Sequence, residues 1–192
     1  VHMNGGTLTL QDTRIHQNTA SDAGGGIYAN NTELMMTRVE VTSNETKLGD
    51  GGGIHQSGSS LTLNETQFSG NRATGNGGGL YANNSLVEMN NCEFGSKTEA
   101  VKANHAHNGG GIFVRENQLT ITDGKIDGNN AVADGGGIRA SGGAILKIRK
   151  TGDINTSFTK NTAAYGGGIS ANEDSKITLE DATIHNNTAS QR

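Results

Sequence analysis

Several residue types are scarce in this sequence. It has no proline, no tryptophan and one cysteine, and only 4% of its residues are aromatic. The single cysteine, Cys92, excludes an intramolecular disulfide framework. The net charge is −4 and no basic cluster occurs, which argues against nucleic acid as a partner. The sequence also shows no signal peptide, transmembrane run or lipidation motif.

Hydrophobic residues make up only 31% of the chain, a fraction that can indicate disorder. Disorder also requires a high net charge, which this chain lacks. The apolar residues recur at fixed positions, as a folded repeat requires. We therefore expect an ordered but narrow core that is shared along an elongated molecule.

Glycine, by contrast, is abundant, with 30 residues in the chain. Six Gly-Gly-Gly triplets occur, and the first glycines of successive triplets lie 27, 26, 32, 26 and 31 residues apart. A repeat of this length predicts a solenoid, in which one structural unit stacks on copies of itself. Each triplet is followed at once by isoleucine or leucine: Gly24–Ile27, Gly51–Ile54, Gly77–Leu80, Gly109–Ile112, Gly135–Ile138 and Gly166–Ile169.

Short alternating stretches between the triplets predict strands with one buried face. One follows the triplet (Ile54-His55-Gln56), a second comes soon after (Leu61-Thr62-Leu63), and a third ends in asparagine (Phe68-Ser69-Gly70-Asn71). The sequence therefore predicts an all-β, right-handed parallel β-helix of about 6–7 coils of about 26 residues, with three short strands per coil. A left-handed β-helix would instead show a hexapeptide rhythm of about 18 residues per coil, which is absent.

Stacked coils place equivalent residues above one another, about 4.8 Å apart. We predict three buried ladders and, at the end of the third strand, asparagines that hydrogen-bond from coil to coil. The ladders are Ile27, Ile54, Leu80, Ile112, Ile138 and Ile169; Leu10, Met36, Leu63, Met89, Ile121 and Leu179; and Ile15, Val41, Phe68, Phe94, Ile126, Phe158 and Ile184.

Two coils are longer than the others. Extra residues lie at 95–103, before Asn104 resumes the pattern, and around 149–155. Insertions in a solenoid project as loops, often on a binding face, although variation in a tolerant turn is the simpler interpretation. The repeat runs through both ends of the chain, so we expect residues 1–192 to be a single β-helix segment of a longer protein.

These motifs resemble those of the chlamydial polymorphic outer-membrane proteins and related right-handed β-helix passengers. That family carries repeated Gly-Gly-Ala-aliphatic and Phe-x-x-Asn motifs. The first motif corresponds here to the six glycine triplets, and the second is literal at Phe68–Asn71 and Phe158–Asn161. The resemblance implies a surface-displayed or secreted passenger of the autotransporter type, often an adhesin, attached to an anchoring domain.

The outward position beside each triplet supplies the candidate binding residues. An exposed aromatic column can stack on sugar rings or pack against a protein partner. The alternative, which we favour, is stacking between coils that only stabilises the sheet. The residues are Tyr28, His55, Tyr81, Phe113 and Arg139, with Ser170 at the same position.

We expect no metal and no cofactor. Asp50, Asn76, Asn108 and Asp134 precede their triplets and offer oxygen ligands for calcium, but capping of the turn is the favoured interpretation. His105 and His107 alternate on one strand, yet no third ligand stands out.

Function follows less directly from the sequence. We expect a non-catalytic structural or adhesive stalk, extracellular or on a bacterial surface, whose partner is a protein or glycan of a host or neighbouring cell. The first alternative is a polysaccharide-active lyase or glycosidase, which needs a pair of suitably spaced carboxylates. The acidic residues are scattered, and Gln67 separates Glu40 from Glu93 in the predicted stack. The second alternative is a module that associates end to end through open strand edges.

Overall fold

The structure, a computed structural model, describes residues 1–95, 103–151 and 155–191. Every secondary-structure element in these residues is a β-strand, and the strands form four parallel sheets of seven strands each. Each strand pairs with the equivalent strand of a neighbouring coil. The chain is thus a parallel β-solenoid of about seven coils, which confirms the predicted fold class; the right-handed winding stays a prediction.

The sheets are numbered in the order in which the chain enters them. Sheet 1 contains β1 (His2–Asn4), β5 (Ile27–Asn30), β9 (Ile54–Ser57), β13 (Leu80–Asn83), β17 (Ile112–Arg115), β21 (Ile138–Ser141) and β25 (Ile169–Ala171). Sheet 2 contains β2 (Thr7–Gln11), β6 (Glu33–Thr37), β10 (Ser60–Asn64), β14 (Leu86–Asn90), β18 (Gln118–Thr122), β22 (Ile145–Arg149) and β26 (Lys176–Leu179).

Sheets 3 and 4 complete each coil. Sheet 3 contains β3 (Arg14–His16), β7 (Glu40–Thr42), β11 (Gln67–Ser69), β15 (Glu93–Gly95), β19 (Lys125–Asp127), β23 (Ser157–Thr159) and β27 (Thr183–His185). Sheet 4 contains β4 (Thr19–Ala20), β8 (Glu45–Thr46), β12 (Arg72–Ala73), β16 (His105–Ala106), β20 (Asn130–Ala131), β24 (Thr162–Ala163) and β28 (Thr188–Ala189).

The prediction of three strands per coil is wrong, because sheet 4 adds a fourth. Its strands are only two residues long, as in Arg72–Ala73. Two residues are too few to show an alternating pattern, so the sequence predicted a turn at this place. The backbone nevertheless pairs from coil to coil, as between Arg72 and His105.

The strand register confirms the three predicted ladders, but Leu179 and Ile184, their members in the last coil, are exposed and not buried. Ile54 pairs with Leu80 in sheet 1 and Phe68 with Phe94 in sheet 3. The ladder of sheet 2 contains one more member, Ile148, which lies between Ile121 and Leu179. Strand β22 was not predicted, because the preceding corner is one residue longer than in the earlier coils.

The predicted asparagine ladder is also confirmed, and it lies inside the solenoid. Its central members have no exposed surface, and each Nδ2 donates to the Oδ1 of the next asparagine at 2.9–3.1 Å. Asn104 continues the ladder after the first insertion. The ladder contains Asn18, Asn44, Asn71, Asn104, Asn129, Asn161 and Asn187.

The corners between sheets need residues with positive φ. The first glycine of each triplet fills this role between sheets 4 and 1, as at Gly51 with φ 69°. Asparagine fills it between sheets 1 and 2 in two coils, at Asn31 and Asn84. The predicted insertions at 95–103 and 149–155 fall largely on residues 96–102 and 152–154, which lie outside the described residues.

Candidate functional site

The predicted binding residues stand in one column on the outer face of sheet 1. Parallel pairing in register aligns Tyr28, His55, Tyr81 and Phe113 from strand to strand. Their rings stack, with centroids 5.1 Å, 4.7 Å and 5.4 Å apart along this order. His2 extends the stack, since its ring lies 4.8 Å from that of Tyr28. These five rings are called the aromatic column below.

His2 was not predicted to belong to this column, because no glycine triplet precedes it. One signal could have found it: Met3 and Asn4 match Ala29 and Asn30 in the following coil. Their spacing of 26 residues equals the repeat. The register of His2 with Tyr28 follows directly from that alignment.

Arg139 continues the column beyond the rings and pairs in register with Phe113. Its side chain is almost buried, at 9% exposure, and one guanidinium nitrogen donates to Ser170 Oγ at 3.0 Å. Another lies 3.8 Å from Asp134 Oδ2. The guanidinium is therefore held by contacts within the protein.

The stacking geometry limits what the aromatic column can bind. The ring planes are inclined by only 8–20°, so inner rings cover each other's faces. A sugar that stacks on an aromatic side chain needs a free ring face, whereas this column offers ring edges. The arrangement agrees with the stabilising interpretation, and ligand binding by Tyr28, His55, Tyr81, Phe113 and Arg139 stays a prediction.

Burial shifts the pKa values of two members of the column, His55 and Tyr81. It lowers the pKa of His55, while the Asp50 carboxylate acts in the opposite direction. It also raises the pKa of Tyr81. Nδ1 of His55 is buried without a hydrogen-bond partner. A lowered histidine pKa favours the neutral ring, so charge is disfavoured in the middle of the stack.

A second column, of polar side chains, runs along the turns that precede the triplets. Asp50 Oδ1 accepts from the backbone nitrogen of Asn76 at 2.6 Å and from its Nδ2 at 3.0 Å. Asn108 Nδ2 donates to Asn76 Oδ1 at 2.9 Å, and the backbone nitrogen of Asp134 donates to Asn108 Oδ1 at 3.2 Å. These bonds join one turn to the next and support the capping interpretation.

Within residues 1–95, 103–151 and 155–191, no group of three or more His, Cys, Asp or Glu side chains is placed to hold a metal ion. His105 lies on sheet 4 beside Arg72, and burial together with that guanidinium lowers the pKa of His105. A neighbouring positive charge also disfavours a bound cation at His105.

Two carboxylates of sheet 3, those of Glu40 and Glu93, are held in ion pairs. As expected from the repeat, Gln67 pairs with Glu40 on one side and Glu93 on the other. Arg14 Nε lies 2.9 Å from Glu40 Oε2, and Lys125 Nζ lies 2.5 Å from Glu93 Oε1. Each carboxylate thus has its own cation, and Gln67 keeps the two apart.

Cys92 points into the core and has 1% exposure. Its Sγ lies 3.4 Å from the carbonyl oxygens of Leu63 and Asn90. Burial raises the pKa of the thiol to about 12. Since the thiolate is the reactive form, Cys92 is a core residue and not a nucleophile.

Two parts of the chain are similar to a known repeat. Residues 65–83 and 155–172 match the Chlamydia polymorphic membrane protein repeat. Each match contains a literal Phe-x-x-Asn motif and the glycine triplet that follows it. In the structure each match runs from a strand of sheet 3 through sheet 4 into sheet 1. The chain therefore resembles the β-helix passengers of these proteins in both sequence motif and fold.

This similarity indicates a bacterial surface protein built on a β-helix. No curated protein and no solved structure matches the chain. The described part of the sequence contains no helix with the length and apolar character needed to span a membrane.

Proposed function

We propose that the chain is a non-catalytic structural and adhesive rod of a bacterial surface or secreted protein. The observation that carries this proposal is the uninterrupted pairing of four parallel sheets from coil to coil. The hydrogen bonds of these sheets run along the stack, so bending the rod would break them. Such a molecule is suited to holding a binding surface away from a cell.

The partner in this proposal is a protein or glycan on a host or neighbouring cell. The similarity to the polymorphic membrane protein repeat supports a location on the bacterial surface. The outward columns support recognition, because they present side chains at intervals of about 4.8 Å along the rod. Association of chains end to end stays a prediction from the sequence.

The alternative of a polysaccharide-active enzyme finds less support in the geometry. An inverting glycosidase needs two carboxyl groups about 6.5–9.5 Å apart with water between them. Glu40 and Glu93 are separated by Gln67 and are each bound to a cation.

Adhesion and turnover can be measured side by side. Beads coated with the purified chain should bind cultured host cells or neighbouring bacteria, whereas albumin-coated beads should not. Incubation of the chain with plant, bacterial and host polysaccharides should release no reducing ends and no unsaturated products. Lack of binding to every cell type would contradict the adhesive role, and steady product release would show that the chain is an enzyme.

A further inference from the structure

A groove of about 530 Å³ lies at the corner between sheets 1 and 2. It crosses three consecutive coils and is lined by residues of the segments 84–86, 116–118 and 143–145. Ligand sites of small molecules fall in the same range of volume, about 300–1,000 Å³. The groove is therefore large enough for a ligand, and its lining departs from the repeat in three ways.

The first departure is a pair of aliphatic side chains on the outer face of the sheet. Leu86, Gln118 and Ile145 are register neighbours on the outer face of sheet 2. Leu86 is 47% exposed, and Ile145 is half-buried. The equivalent residues of the other coils are all polar: Thr7, Glu33, Ser60 and Lys176.

The second departure is a buried amide without a partner. In two earlier coils this corner holds Thr32 or Ser85, whose hydroxyl donates to the carbonyl oxygen two residues back, at 3.0 Å and 2.8 Å. Asn117 takes this position and lines the groove with only 4% exposure. Neither its Oδ1 nor its Nδ2 has a hydrogen-bond partner. An unpaired buried amide destabilises a protein, so a repeat with a satisfied alternative would be expected to avoid it.

The third departure is an extra residue at the corner. Seven positions separate Ile112 from Leu119, whereas eight separate Ile138 from Leu146. Gly142 and Gly143 form this longer turn, both with positive φ. A Cβ on Gly143 would meet no atom within 4 Å, which shows open space beside it.

We propose that this groove binds a neutral saccharide. Amide groups both donate and accept hydrogen bonds, as do sugar hydroxyls. Asn84 and Gln118 supply two exposed amides, and Asn117 supplies a third that is buried and without a partner in the free chain. Leu86 and Ile145 supply an apolar surface for the C–H face of a sugar ring.

The charge of the groove favours an uncharged ligand. Glu116 Oε1 lies 3.4 Å from Arg115 Nε, so its carboxylate is already compensated. The inference rests on the proposed adhesive function for its biological setting, and it assigns that function a place and a ligand class.

The test uses the whole chain on a printed array of neutral and acidic oligosaccharides, followed by titration of the strongest ligand in a calorimeter. Leu86→Ser copies Ser60, and Asn117→Thr copies Thr32, so both variants use residues that the fold already accepts. Each should weaken binding by at least about tenfold. Asn117→Thr should in addition raise the urea midpoint, because the new hydroxyl can bond the nearby carbonyl.

Thr9→Ala, on the same sheet but far from the groove, is the matched control and should bind as the parent chain does. The assignment is wrong if no neutral oligosaccharide is retained, if only peptides or acidic glycans bind, or if both groove variants bind like the parent. Adhesion of coated beads to cells without binding to the array would overturn the groove assignment and leave the proposed function standing. Sugar binding that depends on the groove, without adhesion to any cell, would support the groove assignment and contradict the proposed adhesive function.

Discussion

Asn71 illustrates how single residues hold neighbouring coils together. Its Oδ1 accepts from the backbone nitrogen and Nδ2 of Asn44, at 3.0 Å and 3.1 Å. Its Nδ2 donates to Asn104 Oδ1 at 3.0 Å and to the Val41 carbonyl at 2.8 Å. A buried amide with this many partners stabilises the fold, whereas the groups left behind by its removal would be unpaired in a dry core.

Asn71→Ala should therefore destabilise the chain by about 3 kcal/mol, since several buried groups lose a partner at about 1–3 kcal/mol each. Asn90 provides the control, because its Nδ2 bonds Asn64 Oδ1 on the exposed face at 3.0 Å. Asn90→Ala should change stability by less than about 0.5 kcal/mol. Urea unfolding followed by circular dichroism measures both. Equal midpoints for the two variants would show that the interior ladder contributes no more than a surface pair.

At the scale of the element, the glycine triplet is a place of close backbone approach. A Cβ on Gly52 would lie 2.4 Å from the carbonyl oxygen of Arg72 and 2.6 Å from that of Gly78. A Cβ on Gly53 would lie 2.5 Å from the Gly79 oxygen, but its other near atoms belong to the side chains of Val41 and Asn71. Side chains can move more readily than paired backbone. This difference agrees with the Gly-Gly-Ala motif of the chlamydial family, where only the third position carries a Cβ.

We expect Gly52→Ala to cost about 3 kcal/mol or more and Gly53→Ala about 1–2 kcal/mol, because overpacking against fixed backbone is less easily relieved. Thermal and urea unfolding of the two purified variants give the comparison. A larger loss of stability in Gly53→Ala than in Gly52→Ala would contradict this expectation. It would mean that neighbouring coils cannot move to admit a Cβ at the third glycine of the triplet.

The aromatic column leads us to predict that the stability of the chain depends on pH. Burial lowers the pKa of His55 from 6.5, so the unfolded chain takes up a proton before the folded chain does as the pH falls. Stability is then fully present above about pH 6.5 and declines below it. His105 contributes in the same direction, since its pKa is also lowered.

Replacement of His55 by phenylalanine keeps a ring in the stack, as Phe113 does naturally, and removes the titrating group. The urea midpoint of the parent chain should fall between pH 7 and pH 5, and that of His55→Phe should fall less, with the remainder due to His105. An NMR titration that places the His55 pKa above 6.5 would contradict the prediction, because protonation of His55 would then stabilise the folded chain.

Periodicity explains which parts of the structure could be predicted. The members of the three ladders stand at the same distances from the glycine triplet in most coils, so their register followed from the sequence, as did the column of Tyr28, His55, Tyr81 and Phe113. Strand β22 could not be predicted in this way, because one added residue at Gly142–Gly143 moved Leu146 away from the position that the repeat predicts. The groove at the corner between sheets 1 and 2 could not be predicted either. It depends on side chains from three coils and on the unpaired amide of Asn117, and neither produces a recognisable pattern in the sequence.

At the scale of the whole molecule, each coil contacts its neighbours through the same four sheets. The stability of such a stack is close to a sum over coils and the interfaces between them. Removal of one complete coil should therefore leave a shorter rod of the same kind. Removal of half a coil should not, because it would place strands of one sheet in another.

Deletion of residues 54–79 joins Gly53 to Leu80, and the new neighbours Ile27 and Leu80, Val41 and Phe94, and Asn44 and Asn104 then complete the ladders. This variant should keep a strand-type circular dichroism spectrum and unfold cooperatively in urea. The dependence of its unfolding free energy on urea should be smaller by about one seventh, in proportion to the surface that one coil buries. Deletion of residues 54–66 is the control and should give an unfolded chain, because Gln67 would follow Gly53 and bring a sheet 3 strand into sheet 1. Equal loss of structure in both deletions would mean that the coils are not interchangeable units, and the description of the molecule as a stack of equivalent coils would have to be given up.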